Sequence, residues 1–169
     1  MEKLYKAGKA KSIGVSNWSI GRLETMLKYA EVKPAINQVE IHPFFPNTDL
    51  VEYCLSHDIL PVAYSPLGSQ LEAGFEMTRE TLMNSAELKA LADKKGVPLA
   101  QLLLSWGIKR GYAVIPKSAT ASRIKSNFNL VELSDDDFAA INNVSDGRDK
   151  RFVDPMWSGY DIWGEVKSQ

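Results

Sequence analysis

Short apolar segments alternate with longer amphipathic segments along this chain, and that alternation constrains the fold more than any other feature. Strand-like segments lie at 12–15, 35–41, 60–64 and 112–115. Segments with helical periodicity lie at 20–30, 49–57, 85–95, 99–110 and 120–127. Strands that alternate with helices form parallel βα units joined by right-handed crossovers. The sequence therefore predicts an α/β fold of four βα units.

Capping signals support several of these boundaries. Ser85 suits the N-cap of the predicted helix at 85–95, and Gly96 follows the end of that helix. Pro98 suits the first position of the next helix. Ser134, with Asp137 three residues later, resembles a capping box. It predicts one more helix after the fourth βα unit, followed by an irregular aromatic tail.

Two architectures are compatible with four βα units, and neither fits completely. An open doubly wound sheet usually carries a G-x-G-x-x-G turn after its first strand, and this sequence has none. A (β/α)8 barrel needs eight strands and about 250 residues, whereas the chain has 169. We expect the segment 70–83, between the third and fourth strands, to be a surface loop.

Composition excludes several classes of function. The 20 Lys and Arg residues against 21 Asp and Glu residues give a net charge of −1, which argues against nucleic-acid binding. No apolar run reaches the ~18 residues of a membrane span, and the polar start lacks the features of a signal peptide. The single cysteine, Cys54, and two histidines make no metal set. We expect a cytoplasmic protein that acts on a small molecule.

Polar residues cluster at the predicted carboxyl ends of the strands, where parallel βα proteins bind their ligands. In strand order these residues are Ser16 and Asn17; Gln38 and Glu40; Tyr64, Ser65, Leu67, Gly68 and Ser69; and Lys117, Ser118, Thr120 and Arg123. A helix N-terminus that carries added Lys and Arg makes an anion site, so the last group predicts a bound phosphate. The alternative is that Ser118 or Thr120 caps the helix while the cations are solvated.

The other groups also allow two interpretations. Ser16 and Asn17 alone are typical of a helix N-cap, and Tyr64 suits either a flat ligand ring or the core. Gln38 and Glu40 share one face of their strand, and as buried polar groups they need partners, for which a ligand amide is a candidate. His42 is expected to be structural, since no nucleophile pattern accompanies it.

Four motifs resemble the aldo-keto reductases in order and spacing. They are IGVSN at 13–17, NQVEIHP at 37–43, AYSPLGS at 63–69 and IPKSAT at 115–120. The similarity extends from Met1 to about Arg151, and the tail from Arg151 to Asp154 resembles that of fungal glycerol- and glyceraldehyde-type reductases. The resemblance implies a (β/α)8 TIM barrel that reduces aldehydes and ketones by hydride transfer from NADPH.

On this basis the chain is expected to be the C-terminal half of the barrel with an extra C-terminal helix and tail. Residues 1–143 would form the half-barrel with the NADP(H)-binding segments, and residues 144–169 the C-terminal loop or tail. Trp157 and Trp163 of the tail would close over the substrate, as the family's C-terminal loop does. The alternative is that these aromatic side chains pack the loop against the barrel.

The resemblance also assigns cofactor contacts. Ser16, Asn17 and Gln38 resemble the residues that hydrogen-bond the nicotinamide carboxamide, and Tyr64 resembles the residue that stacks on the nicotinamide ring. The segment that contains Ser65, Leu67, Gly68 and Ser69 resembles the loop that folds over the pyrophosphate.

The adenosine end of the cofactor has its own group of residues. Lys117, Ser118 and Arg123 resemble the residues that bind the 2′-phosphate, and Thr120 belongs to the same motif. Asn127 resembles an adenine contact. Ser126 stands where the family often has Glu, which puts part of the adenine contact in question. The 2′-phosphate pair, Lys117 and Arg123, still favours NADPH over NADH.

The family's catalytic Asp, Tyr, Lys and His lie on segments that this sequence does not match, and neither Tyr64, His42 nor Lys117 corresponds to them. We therefore expect a cofactor-binding half that is inactive alone, whose complete barrel would act on a small aldehyde, ketone or polyol. The alternative function is a non-catalytic half-barrel that binds NADPH or a partner protein. Its exposed strand edges would favour self-association as a homodimer.

Overall fold

The computed structural model describes residues 1–68, 80–145, 147 and 150–153. Helices and strands alternate over most of these residues. In chain order the elements are α1 (Glu2–Lys6), β1 (Val15–Ser16), α2 (Ile20–Leu27), β2 (Ile36–Glu40), α3 (Thr48–Ser56), β3 (Leu60–Tyr64), α4 (Ala86–Lys95), α5 (Leu99–Lys109), β4 (Ala113–Val114), α6 (Ala121–Ser126) and α7 (Asp135–Ser145).

The four strands form one sheet in the order β1-β2-β3-β4, which is also their order along the chain. β1 and β2 are parallel, with Val15 opposite Asn37 and Ser16 opposite Gln38. At least one helix separates each strand from the next, as parallel neighbours require. The predicted α/β fold of four parallel βα units is therefore confirmed.

Three elements differ from the prediction. The chain begins with the short helix α1, whereas no helix was predicted in its polar first residues. The Glu2 carboxylate accepts hydrogen bonds from the backbone N–H groups of Glu31 at 2.8 Å and Val32 at 3.0 Å, so a distant contact supports this helix. Strands β1 and β4 have only two residues each, and β1 ends at Ser16, one residue beyond the predicted segment 12–15.

The helix caps follow their local signals with one exception. The Ser85 hydroxyl accepts a hydrogen bond from Leu88 N–H at 3.4 Å, and Gly96 ends α4 in the left-handed conformation at φ 70°. Ser134 and Asp137 exchange two backbone-to-side-chain hydrogen bonds of 3.1 Å, which confirms the capping box. Pro98 is the N-cap of α5 and not its first helical residue, because its ψ of 137° is extended.

The chain divides into two compact units. The first comprises Met1–Val39, Asn47–Val62 and Asp154–Gln169, of which the last range lies outside the described residues. Its core is formed by Leu23, Cys54 and Ile59, and side chains of α2 and α3 pack around them.

The second unit comprises Glu40–Pro46 and Ala63–Val153. The apolar helix α5 supplies much of its core, and Trp106 is 1% exposed. The Trp106 indole N–H donates to Asn142 Oδ1 of α7 at 2.8 Å, which satisfies the polar atom of this large buried ring. The predicted loop at 70–83 lies largely outside the described residues.

Candidate functional site

Ser16 at the end of β1 and Asn17 after it are hydrogen-bonded to the middle of β2 within the first unit. Both the Ser16 hydroxyl and the Asn17 backbone N–H donate to the carbonyl oxygen of Gln38, each at 2.9 Å. Asn17 adopts a positive φ of 59°, a conformation that Asn tolerates better than most residues. The structure thus brings together Ser16, Asn17 and Gln38, the three residues assigned to the carboxamide.

A residue that the sequence analysis did not single out holds this loop in place. The side chain of Asn37 is fully buried, and its amide donates to the Trp18 carbonyl oxygen at 2.9 Å. Its Oδ1 accepts the Trp18 N–H at 3.4 Å. Asn is uncommon inside strands, and Asn37 shares one face of β2 with the buried Val39, so the sequence carried a signal for a buried polar partner.

The side chain of Asn17 carries an acceptor that no described residue satisfies. Its side-chain oxygen Oδ1 is buried and has no hydrogen-bond partner within the described part of the chain. A buried acceptor without a donor costs about 1–3 kcal/mol. A ligand that brings an N–H group to this oxygen would remove that cost.

Tyr64 is the last residue of β3 and lies in the second unit, where it is partly buried. The pKa of the Tyr64 hydroxyl is raised to about 12. Burial is the largest cause, the Glu40 carboxylate adds to it, and the Arg151 cation opposes it. Its phenol is therefore neutral and protonated at physiological pH.

A tight turn follows Tyr64. Gly68 N–H donates to the Ser65 carbonyl oxygen at 2.8 Å, and both residues have positive φ, 49° at Ser65 and 74° at Gly68. Leu67 is partly buried within this turn. A Cβ at Gly68 would lie 3.3 Å from both Leu82 Cδ1 and Phe152 Cε2, so the turn packs closely against its neighbours. Ser69 lies outside the described residues.

The predicted anion site surrounds α6, a helix of only six residues. The Ser118 hydroxyl accepts the Thr120 N–H at 3.1 Å, and Thr120 is the N-cap without a capping bond from its side chain. Lys117 and Arg123 are exposed, and Asn127 is the C-cap residue. A hydroxyl that accepts a bond still has its own hydrogen to donate, so Ser118 keeps a donor for an anion.

Glu40 does not face a ligand amide, which corrects that expectation. Its carboxylate accepts backbone N–H bonds from Phe152 at 2.7 Å and Val153 at 3.1 Å, and it lies 2.9 Å from His42 Nε2. Glu40 and His42 are fully buried. The expectation failed because the backbone N–H groups that satisfy Glu40 lie more than a hundred residues further along the chain.

The described residues contain no group of three or more His, Cys, Asp or Glu side chains that could hold a metal ion. Among the helices that the structure describes, none is long and apolar enough to span a bilayer. Trp157 and Trp163, assigned to a substrate loop, lie in the range 154–169, outside the described residues.

Comparison with known proteins decides the family. Residues 1–146 match the Aldo/keto reductase family. The chain belongs to that family. This aldo/keto reductase chain is 54% identical over 166 residues to the glycerol 2-dehydrogenase (NADP(+)) of Hypocrea jecorina, with 98% of the chain and 52% of the relative covered. The predicted resemblance to fungal glycerol-type reductases is therefore confirmed.

Other relatives agree with this assignment. The glycerol 2-dehydrogenase (NADP(+)) of Saccharomyces cerevisiae is 41% identical, with 96% of this chain and 51% of the relative covered. A solved structure of aldose reductase from Giardia lamblia matches with a TM-score of 0.83 at 41% identity, and 96% of this chain covers 52% of that chain. The aldo/keto reductase chain thus spans about half the length of the relatives it matches.

Proposed function

We propose that this chain is the NADPH-binding half of an aldo-keto reductase that interconverts a small carbonyl compound and its alcohol or polyol. Family membership and relatives named glycerol 2-dehydrogenase (NADP(+)) support the reaction class. The buried acceptor Asn17 Oδ1, which lacks a partner within the described residues, is the observation that carries the binding proposal.

The nicotinamide end of the cofactor fits the loop after β1. A carboxamide carries two N–H donors, and Asn17 Oδ1 is a buried acceptor beside Ser16 and Gln38. Tyr64 offers a flat, uncharged ring for stacking, since its pKa of about 12 keeps the phenol neutral. NADPH, when bound, would supply the hydride, while these residues orient the ring that carries it.

The phosphates fit the second unit. The turn from Ser65 to Gly68 is the proposed loop over the pyrophosphate. Lys117 and Arg123 supply exposed positive charge, and Ser118 supplies a hydroxyl donor, for a 2′-phosphate. Thr120 completes this motif and Asn127 is the proposed adenine contact.

Carbonyl reduction also needs a general acid that protonates the substrate oxygen. We assign no catalytic residue in this chain: Tyr64 is a stacking residue in this proposal, and Lys117 binds phosphate. The catalytic Asp, Tyr, Lys and His would come from segments that this sequence does not contain. The chain alone is therefore expected to bind NADPH without oxidising it.

The test replaces both proposed phosphate-binding cations, as Lys117→Gln with Arg123→Gln, and measures cofactor affinity by calorimetry. Charge-assisted hydrogen bonds contribute about 1.5–3 kcal/mol, so the Kd for NADPH should rise at least about tenfold while the Kd for NADH stays within about twofold. The matched control removes two exposed charges of the same unit, as Lys89→Gln with Lys125→Gln, and should leave both affinities unchanged.

Three results would contradict the proposal. Equal losses of NADPH and NADH affinity would remove the 2′-phosphate assignment. A chain that binds neither nucleotide would refute cofactor binding, and steady NADPH oxidation with glyceraldehyde by the purified chain would refute the assignment of catalysis to other segments.

Self-association is a second proposal, and a surface of the first unit favours it. Tyr29 is 81% exposed and Met1 72% exposed, and both line an apolar groove of about 350 Å³ beside β1. Large exposed apolar side chains next to an edge strand favour association between chains. Light scattering on the same samples, with and without NADPH, should show a mass above that of the 18.8 kDa monomer.

A further inference from the structure

The second unit contains a buried carboxylate that the proposed cofactor contacts do not use. Glu40, the last residue of β2, is fully buried. Its Oε1 accepts the Phe152 N–H at 2.7 Å and lies 2.9 Å from His42 Nε2, and its Oε2 accepts the Val153 N–H at 3.1 Å. A charge removed from water is tolerated only when it is hydrogen-bonded in this way.

His42 acts as a hydrogen-bond donor to the Glu40 carboxylate. An ionised carboxylate only accepts hydrogen bonds, so His42 Nε2 carries the hydrogen that it donates to Glu40. In the neutral ring Nδ1 is then an acceptor, and that atom is buried without a hydrogen-bond partner among the described residues. The imidazole therefore orients the carboxylate and is not itself held by a second polar group there.

The segment that donates the backbone bonds to Glu40, residues 150–153, packs along its length on residues 40–46. Lys150 N–H donates to the Phe44 carbonyl oxygen at 2.7 Å, and the Arg151 guanidinium lies 4.5 Å from the centroid of the Phe45 ring. The Phe152 ring contacts the His42 ring with 4.9 Å between centroids. Backbone, cation–π and ring contacts thus all connect the same two short segments.

This segment also reaches the turn after Tyr64. Phe152 Cε2 lies 3.3 Å from the position that a Cβ on Gly68 would occupy. Arg151 and Glu40 act on the Tyr64 hydroxyl in opposite directions, since the cation lowers its pKa and the carboxylate raises it. Phe152 therefore lies against the turn that follows the proposed nicotinamide-stacking residue, and Glu40 and Arg151 both act on that residue electrostatically.

We propose that Glu40, oriented by His42, is a positioning residue that anchors residues 150–153 beside the Tyr64–Gly68 turn and so couples this segment to the nicotinamide end of the cofactor. The chain continues directly from Val153 into the aromatic range that contains Trp157 and Trp163. The coupling rests on the proposed function, whereas the anchor itself does not.

The first experiment measures hydrogen exchange of the Phe152 and Val153 amides by NMR in the Glu40→Gln variant. Glutamine keeps the size of the side chain but loses the charge and one acceptor. Loss of charge-assisted bonds should accelerate exchange of these two amides at least about tenfold. The Ile115 amide, which bonds the Ala63 carbonyl oxygen at 3.1 Å in the same unit, should keep its rate.

The matched control is Glu132→Gln, which removes an exposed carboxylate of the same unit and should leave all three exchange rates unchanged. Unchanged exchange at Phe152 and Val153, or an equal acceleration at Ile115, would overturn the anchor. If Glu40→Gln does not fold, the unmutated chain still decides the matter, because unprotected Phe152 and Val153 amides would overturn the anchor without any variant.

The second experiment compares two ligands on the same variant. NADPH carries the nicotinamide ring, whereas adenosine 2′,5′-bisphosphate carries the adenine and the 2′-phosphate without it. Glu40→Gln should raise the Kd for NADPH about fivefold or more and leave that for the bisphosphate within about twofold. Equal changes for the two ligands, or no change for NADPH, would overturn the coupling. Failure of the unmutated chain to bind either ligand would refute the proposed function and leave the exchange result standing.

Discussion

The side-chain amide of Asn37 satisfies both backbone polar groups of Trp18. Its Nδ2 donates to the Trp18 carbonyl oxygen at 2.9 Å, and its Oδ1 accepts the Trp18 N–H at 3.4 Å. Asn37 is fully buried, so water cannot replace these bonds. One strand residue thereby holds the loop in which Asn17 presents its unused acceptor.

Replacement of this amide should destabilise the chain. Asn37→Leu keeps the volume but leaves the Trp18 N–H and C=O without their partner, so the free energy of unfolding should fall by about 2–3 kcal/mol. Urea unfolding followed by circular dichroism measures this change. Asn143→Leu, at an exposed position of α7, is the matched control and should change stability by less than about 0.5 kcal/mol. Equal effects of the two substitutions would contradict the role of Asn37.

Two helical glycines should respond to alanine with opposite signs. A Cβ at Gly107, in α5, would lie 2.7 Å from Tyr112 Cε2 and 2.8 Å from Val114 Cγ1, whereas one at Gly21, in α2, would meet nothing within 4 Å. Gly107→Ala should cost about 1–3 kcal/mol through overpacking. Gly21→Ala should stabilise the chain by about 0.5–1 kcal/mol through helix propensity. Thermal unfolding of both variants decides this, and a Gly107→Ala variant as stable as the unmutated chain would be inconsistent with the close packing.

The capping box of α7 should produce a pH dependence of stability. Hydrogen bonds from Lys95 and Ser134 lower the pKa of Asp137 to about 2, from an ordinary value of 3.8. Because the unfolded chain takes up this proton first as pH falls, the stabilisation is complete above about pH 4 and disappears as pH falls through 2. Asp137→Asn should therefore flatten the fall of unfolding free energy between pH 4 and pH 2. Asp136→Asn, in the same turn, leaves the Lys95–Asp137 pair in place and should preserve the slope; if both variants keep it, the pair does not contribute.

The parts of the fold that depend on neighbouring residues were predictable from the sequence. Alternation of apolar and amphipathic segments located the strands, and the Ser134–Asp137 spacing located a capping box that the structure contains. Helix α1 was missed because the contacts that support it, from Glu2 to Glu31 and Val32, join residues 29 and 30 positions apart. No local pattern shows such a pair.

The residues of the candidate site also fall into those that local sequence predicts and those that depend on distant contacts. Motifs named Ser16, Asn17 and Gln38 in advance, and the structure places them within hydrogen-bonding reach of one another. Asn37 stood inside one of those motifs without being singled out, because only its burial shows what it binds. The periodicity of β2 placed Glu40 on an inward face. It could not identify the backbone donor at Phe152, which lies 112 positions further along the chain.

The separation of Glu40 from Phe152, 112 positions along the chain, sets an order of events during synthesis and folding. The chain has to leave the ribosome as far as Val153 before the carboxylate can obtain its two amide donors. Closing a loop of that length costs on the order of 4 kcal/mol in chain entropy, so this contact forms after the sequence-local helices. Until then Glu40 has to remain in water, and the core around it stays incomplete. Residues 150–153 thus become native later than the sequence-local helices.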